Sequence, residues 1–275
     1  FMFANAIDDA LMGVNVVLRG DDHLSNTPRQ IALLKALDLS IPEFIHVALF
    51  TGDDGSPLSK RNGSLSVQEL REAGYFPKAI ANYLSRVGHT IGDNELRSLE
   101  ELATVFKIDN ISNSPSRFDL DQLGFWQKKV IESESTESLL TWLRKDLSEI
   151  LPAEIDQNGF VELIRENIVF PKDAADYAKN LFVHSLNSDK EVSTIIKKTG
   201  PKFFNIAREC VQEHWGDWSK IMKDIGEKSG NKGKELFMPI RAAITCQLSG
   251  PELDQVTKLL DIDRVVRRLE EASQL

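Results

Sequence analysis

Val14-Asn15-Val16-Val17-Leu18-Arg19-Gly20-Asp21-Asp22-His23 decides the fold of the first part of the chain. A short β-branched run ending on turn and charged residues reads as a buried strand of a parallel sheet, here over 14–18. Open α/β sheets bind ligands at the carboxyl ends of their strands, which makes Arg19 and the residues after it, Asp22 and His23 among them, site candidates. Upstream, Ala4, Ile7, Ala10 and Leu11 follow helical spacing until Gly13 breaks it. Downstream, Thr27 reads as an N-cap with Pro28 at the first helical position, opening a helix through Leu37. After Pro42, Phe44-Ile45-His46-Val47-Ala48-Leu49-Phe50 reads as a second strand. Strand, helix and strand make a parallel crossover unit with both charged clusters at strand ends.

The second strand leads into Thr51–Gly63, where Gly52, Gly55, Pro57 and Gly63 forbid a regular element. Ser59, Lys60 and Arg61 within it offer hydrogen bonds and charge to a phosphate. Two readings stand on these residues: a phosphate-handling loop, and an ordinary turn that holds a Lys-Arg pair.

Composition bounds the rest. The chain has 275 residues, 41% hydrophobic and 27% charged, which is a globular composition with room for two or three compact units. No apolar run approaches the ~20 residues needed to span a bilayer. Phe1-Met2-Phe3-Ala4-Asn5 lacks a signal-peptide pattern and reads as a cut end. Cys210 and Cys246 are too few for a disulfide framework or a thiolate metal site, consistent with a reducing compartment. The formal net charge of −9 disfavours a nucleic-acid partner at first sight. It is uneven: Lys190 to Arg241 holds eleven Lys or Arg against seven Asp or Glu, a local +4 that leaves −13 elsewhere. A basic face and an ordinary mixed-charge helical surface both fit that segment.

Asp8-Asp9-Ala10-Leu11-Met12-Gly13, Arg19-Gly20-Asp21-Asp22-His23, Asn26-Thr27-Pro28-Arg29-Gln30 and Leu58-Ser59-Lys60-Arg61 stand in this order and spacing. Together they resemble the second half of the catalytic domain of bacterial glutamyl-tRNA synthetases, which are class I enzymes. Later stretches resemble the same family: Ala81 to Gly88, Ser116-Arg117-Phe118-Asp119 with Trp126, and Lys232 to Arg241. The early His-Ile-Gly-His signature of the class is not among these residues. His89, in Gly88-His89-Thr90-Ile91-Gly92, sits in another context. The chain thus resembles the C-terminal three-fifths of such an enzyme.

The resemblance implies ATP-dependent activation of L-glutamate and transfer to the 3′ end of tRNA(Glu). It implies a cytoplasmic monomer, with Mg2+ carried by ATP and no protein-bound metal. Attack on the α-phosphate builds charge on phosphoryl oxygens, and a cation there lowers the barrier. Lys60 is assigned that role, with Ser59, Leu58, Asp22 and His23 as ATP contacts. Pro57 stands where the family's loop usually has Lys, removing a charge and a backbone donor. Arg19 has the fork geometry to take a carboxylate and is assigned to glutamate with Phe1 and Asn5. Phe1 falls where the family commonly has Tyr. Arg61, Arg117, Lys202, Lys232, Lys234 and Arg241 are the candidate tRNA contacts. A second reading, a tRNA-binding fragment without chemistry of its own, stays open for these residues alone.

The fold expected is mainly α. It comprises the C-terminal part of a Rossmann-like α/β catalytic domain over 1–64, a helical stem-contact domain over 65–134, and an all-α anticodon-binding domain over 135–275. Gly74 reads as a C-cap, Pro77 as a helix start, and Ser98-Leu99-Glu100-Glu101 as a capping box. Asn110 to Asp121 reads as an exposed turn-rich segment. From Ser135 on the chain reads as helices broken at Pro152, Asn158-Gly159, Pro171, Gly200-Pro201, Ser229-Gly230-Asn231 and Gly250-Pro251. Trp215 and Trp218 are placed on one helical face.

Overall fold

The computed structural model describes residues 1–52, 55–56, 58, 66–112 and 114–275. Among them helices dominate and strands are few and short. The chain divides into two compact units, Phe1–Val130 and Ile131–Leu275.

The first unit opens with the helix Met2–Leu11, which ends before Gly13, itself at φ +73°. Strand β1, Val16–Gly20, pairs in parallel with β2, Glu43–Val47, setting Arg19 opposite His46. A 3-10 turn, Asp21–Asn26, and the helix Thr27–Ala36 join the two strands. The crossover unit expected from the sequence is therefore present, with three differences. The strand runs two residues later than 14–18, and it is not buried: Val16 and Leu18 are 40% and 51% exposed, because each flank of a two-stranded sheet covers little of it. Thr27 is not an N-cap; it is the first helical residue, and its hydroxyl is drawn to Arg19 and His46 instead. The second strand is not continuous through Phe50: it stops at Val47, and β3, Phe50–Thr51, pairs in parallel with β4, Ser116–Arg117. That pairing also orders part of the segment read as exposed turns, through a partner more than sixty positions away that local sequence does not announce.

The remaining core of this unit is helical. Leu70, Ala79, Tyr83, Leu123, Trp126 and Val130 are buried together. They come from the helices Val67–Ala73, Pro77–Leu84 and Leu120–Ser133. Ser66 and Ser98 each close a full capping box with the Glu three residues on, satisfying two otherwise orphaned backbone N–H groups. Gly74, at φ +96°, ends the first of these helices in the left-handed conformation that glycine tolerates best. Trp126 is a core anchor, with the Arg86 guanidinium 4.1 Å from its ring centre.

The second unit is all-α among its described residues. The helix Pro201–His214 packs on Trp218–Ser229 and Ile262–Ser273, Thr136–Leu147 on Pro171–Phe182, and Lys190–Thr199 on Lys234–Thr245. Leu139, Leu143, Phe160, Ile164, Phe204, Ile225, Ile240 and Leu269 fill its interior. Two sequence expectations fail here. Asn158 and Gly159 lie inside the helix Gln157–Ile164 rather than breaking it. A Cβ there would sit 2.7 Å from Oδ2 of Asp156, which caps that helix, so the carboxylate would have to turn aside. Trp215 and Trp218 do not share a helical face: one ends Pro201–His214 and the other begins the next helix, capped by Asp217. They meet instead around a small hollow of about 170 Å³ with Ile221, Thr257 and Leu260.

Candidate functional site

Arg19 stands near the carboxyl end of β1, the position where the sequence placed a ligand-binding cation. Its Nη1 donates to Gln30 Oε1 at 2.7 Å, its Nη2 donates to Thr27 Oγ1 at 2.7 Å, and its guanidinium lies 4.9 Å from the Phe44 ring centre. The Nε–H is buried, with no partner among the described residues. Gln30 is 3% exposed and turns its amide nitrogen toward Asn5 Oδ1, at 3.1 Å, and toward the Met2 carbonyl, at 3.3 Å. Thr27 Oγ1 also lies 2.9 Å from His46 Nε2. One network thus ties the first helix, β1, the crossover helix and β2 together around a guanidinium.

Phe1 and His23 border it, their ring centres 5.8 Å apart. Asn26 Nδ2 lies 3.2 Å from His23 Nδ1. The His23 Nε2 faces the exposed Asp22 carboxylate at 3.8 Å. A Cβ at Gly20 would meet the Asp22 carboxylate and Leu49, whose side chains would have to give way. The structure therefore brings five sequence candidates into one region: Phe1, Asn5, Arg19, Asp22 and His23. It adds Gln30 and His46. A signal for Gln30 was present, since Thr27 and Gln30 are three apart and share a helix face. His46 became visible only through its strand register with Arg19.

Leu58 donates its amide to the Phe50 carbonyl at 3.0 Å. Its side chain lines an apolar hollow of about 380 Å³ with Phe50, Leu70, Ile80, Tyr83 and Phe118. Pro57, Ser59, Lys60 and Arg61 lie outside the described residues.

The tRNA candidates occupy different settings. Arg117, on β4, is exposed and 3.6 Å from Asp119. Lys202 is exposed in the first turn of Pro201–His214, just after Lys197 and Lys198 end the preceding helix. Lys232 and Lys234 are exposed on either side of Gly233, which takes φ +53° as N-cap of the helix Lys234–Thr245. Arg241 is half-buried and donates to the Pro251 carbonyl at 2.8 Å. Burial lowers its pKa from the usual guanidinium value, against the opposing pull of Tyr177 and Glu252. His89 is a structural residue, stacked on Phe106 at 5.1 Å with Nε2 against the Lys107 backbone.

A guanidinium thus stands near a strand end of a parallel unit, and a second, helical unit carrying exposed lysines follows it in the chain. Two family models match the chain in that order: tRNA synthetases class I (E and Q), catalytic domain, over residues 1–125, and the anticodon binding domain over residues 134–273. The chain belongs to the class I tRNA synthetases of this E and Q family.

Among its relatives, glutamate–tRNA ligase 1 of Methylococcus capsulatus is 43% identical over 271 residues, covering 98% of this chain and 58% of the relative. Glutamate–tRNA ligase 2 of Alkalilimnicola ehrlichii is 45% identical over 280 aligned positions, with coverage of 100% and 58%. The chain thus spans about 58% of the length of these curated relatives. In fold it is similar to the crystal structure of a glutamate tRNA ligase from Elizabethkingia meningosepticum in complex with its amino acid. There the TM-score is 0.85 and the identity 23%, over 100% of this chain and 60% of that one.

Proposed function

We propose that this chain works in a glutamate–tRNA ligase, which activates L-glutamate with ATP and transfers it to the 3′ end of tRNA(Glu). The observation that carries the reading is the Arg19 guanidinium. It is held by two neutral acceptors, Gln30 and Thr27, and keeps N–H donors for an anion. In this reading Arg19, with Asn5 and Phe1, takes the glutamate side-chain carboxylate. Asp22 and His23 contact ATP, whose phosphates bring Mg2+. Lys60, with Ser59 and Leu58, stabilises the charge that grows on the α-phosphate during attack. Arg61, Arg117, Lys202, Lys232, Lys234 and Arg241 contact the tRNA.

The proposed division assigns 1–64 to catalysis, 65–134 to the tRNA stem and 135–275 to the anticodon region, in a cytoplasmic monomer. Glutamate-dependent ATP–pyrophosphate exchange in the full-length protein tests the reading. Exchange should require L-glutamate and fall at least about a hundredfold in Lys60→Ala, the scale set by removing one group that stabilises transition-state charge. Wild-type exchange in that variant would refute the role given to Lys60, and absence of exchange with every amino acid would refute the ligase itself.

A further inference from the structure

We infer that Gln30 is a positioning residue that sets the polarity of the amino-acid site, and that its being an amide rather than a carboxylate is what keeps the site open to an anion. The inference rests on the Arg19 reading above and concerns how that guanidinium is held. Gln30 is nearly fully buried, and its amide faces both ways: Oε1 accepts from Arg19 Nη1, while Nε2 donates to Asn5 Oδ1 and to the Met2 carbonyl.

Two consequences follow from donor and acceptor counting. Because Asn5 Oδ1 is occupied as an acceptor, the free end of the Asn5 amide is its NH2. Because Gln30 and Thr27 are neutral, they fix the plane of the Arg19 guanidinium without cancelling its charge. Among the described residues Arg19 forms no ion pair with a carboxylate, and its buried Nε–H has no partner. The unused groups are therefore donors from both side chains, on one cation, and they call for a carboxylate.

A Glu at position 30 would differ from Gln by one atom and reverse each of these effects. It would neutralise Arg19 from within, and it would present a second oxygen to Asn5, which must then turn its NH2 inward. The change preserves shape and alters only charge and hydrogen bonding, so its effect on glutamate relative to ATP, not on stability, separates positioning from space filling. Gln30→Met supplies the complementary case: volume is kept, all three hydrogen bonds of the amide are lost, and the guanidinium is free to rotate.

The experiment compares wild type, Gln30→Glu, Gln30→Met and Arg19→Met in the full-length protein, with L-glutamate as the probe. Kinetic constants for glutamate and for ATP are measured, and the Arg19 guanidinium is followed by 15N NMR. Gln30→Glu should raise the KM for glutamate by about thirtyfold or more, a factor typical of removing a charge-assisted hydrogen bond, and leave the KM for ATP within about twofold. In wild type the Arg19 Nη signals should be split by restricted rotation, and in Gln30→Met they should collapse to an average. An unchanged glutamate KM in Gln30→Glu, or Nη signals alike in wild type and Gln30→Met, would overturn the inference. If Arg19→Met leaves glutamate binding intact, the glutamate role of Arg19 fails instead, and the NMR comparison still decides whether Gln30 holds the guanidinium.

Discussion

The backbone amide of Asp119 donates to the Tyr83 hydroxyl at 2.6 Å, joining residues 36 positions apart. Tyr83 is 2% exposed and meets Phe118 edge-on, so its ring fills the core while its oxygen fixes the turn that begins the helix Leu120–Ser133. Asp119 in turn accepts from the amides of Asp121 and Gln122 at the start of that helix. Tyr83→Phe keeps the ring and removes only the acceptor. It should lower stability by about 1–2 kcal/mol, the cost of leaving a partly buried N–H unpaired, read as a shift of the urea midpoint at constant m. A change below a few tenths of a kcal/mol would mean that water replaces the hydroxyl.

Arg165 does comparable service near the other end of that helix. Its Nη1 donates to the carbonyls of Ile131, at 2.9 Å, and Glu134, at 2.7 Å, covering acceptors that a helix end leaves open. Its remaining nitrogens grip Glu162, which Thr136 also bonds, and these partners hold the Glu162 carboxyl below the usual carboxylate range. The Arg165 side chain is 14% exposed, so solvent cannot fully replace it. Arg165→Met should cost about 2–3 kcal/mol, and Glu162→Gln appreciably less, because the carbonyl contacts survive it. Equal losses in the two variants would show that the ion pair, not the helix end, is what matters.

Exposed Lys232 and Lys234 flank the start of a helix whose apolar face, Leu236 and Ile240, is buried. Their charges are therefore free for an external partner at little cost to folding. If they meet tRNA phosphates, Lys232→Gln with Lys234→Gln should weaken tRNA binding and flatten its dependence on log salt by about 0.7–0.9 for each phosphate no longer neutralised. The melting temperature should hardly move. Weakened binding with an unchanged salt slope would place these lysines away from the phosphates.

Much of this architecture was legible in the sequence because the decisive signals are local. Gly74, Pro77 and the Ser-x-x-Glu pair at Ser98 act within one turn of chain, and the structure uses each in that way. What could not be read depends on partners distant in sequence. The β3–β4 pairing and the diversion of Thr27 from capping to Arg19 have their cause elsewhere in the fold. The same division runs through the site. Arg19 announced itself as a cation at a strand end, whereas Gln30 and His46 gained meaning only when the crossover helix and the second strand were set beside it.

Asp93 offers a test of electrostatics by pH. Arg97 grips it with two nitrogens, at 2.5 and 2.8 Å, the Glu95 amide adds a third bond at 2.9 Å, and Arg86 stands 3.8 Å away. The Arg97 hydrogen bonds, before all else, hold the Asp93 carboxyl far below the usual carboxylate range. A depressed folded-state pKa gives stability that is fully present above the unfolded value of about 3.9 and is lost as pH falls through the folded one. The stability gap between wild type and Asp93→Asn should therefore be constant from neutral pH to about pH 5 and shrink below about pH 4. High salt should reduce it throughout, since the carboxylate is 42% exposed. Carbon NMR of the side chain gives the independent reading: the Asp93 carboxyl signal should stay at its ionised position where exposed aspartates have already titrated. A midpoint near 4 would show that Arg97 does not hold it in solution.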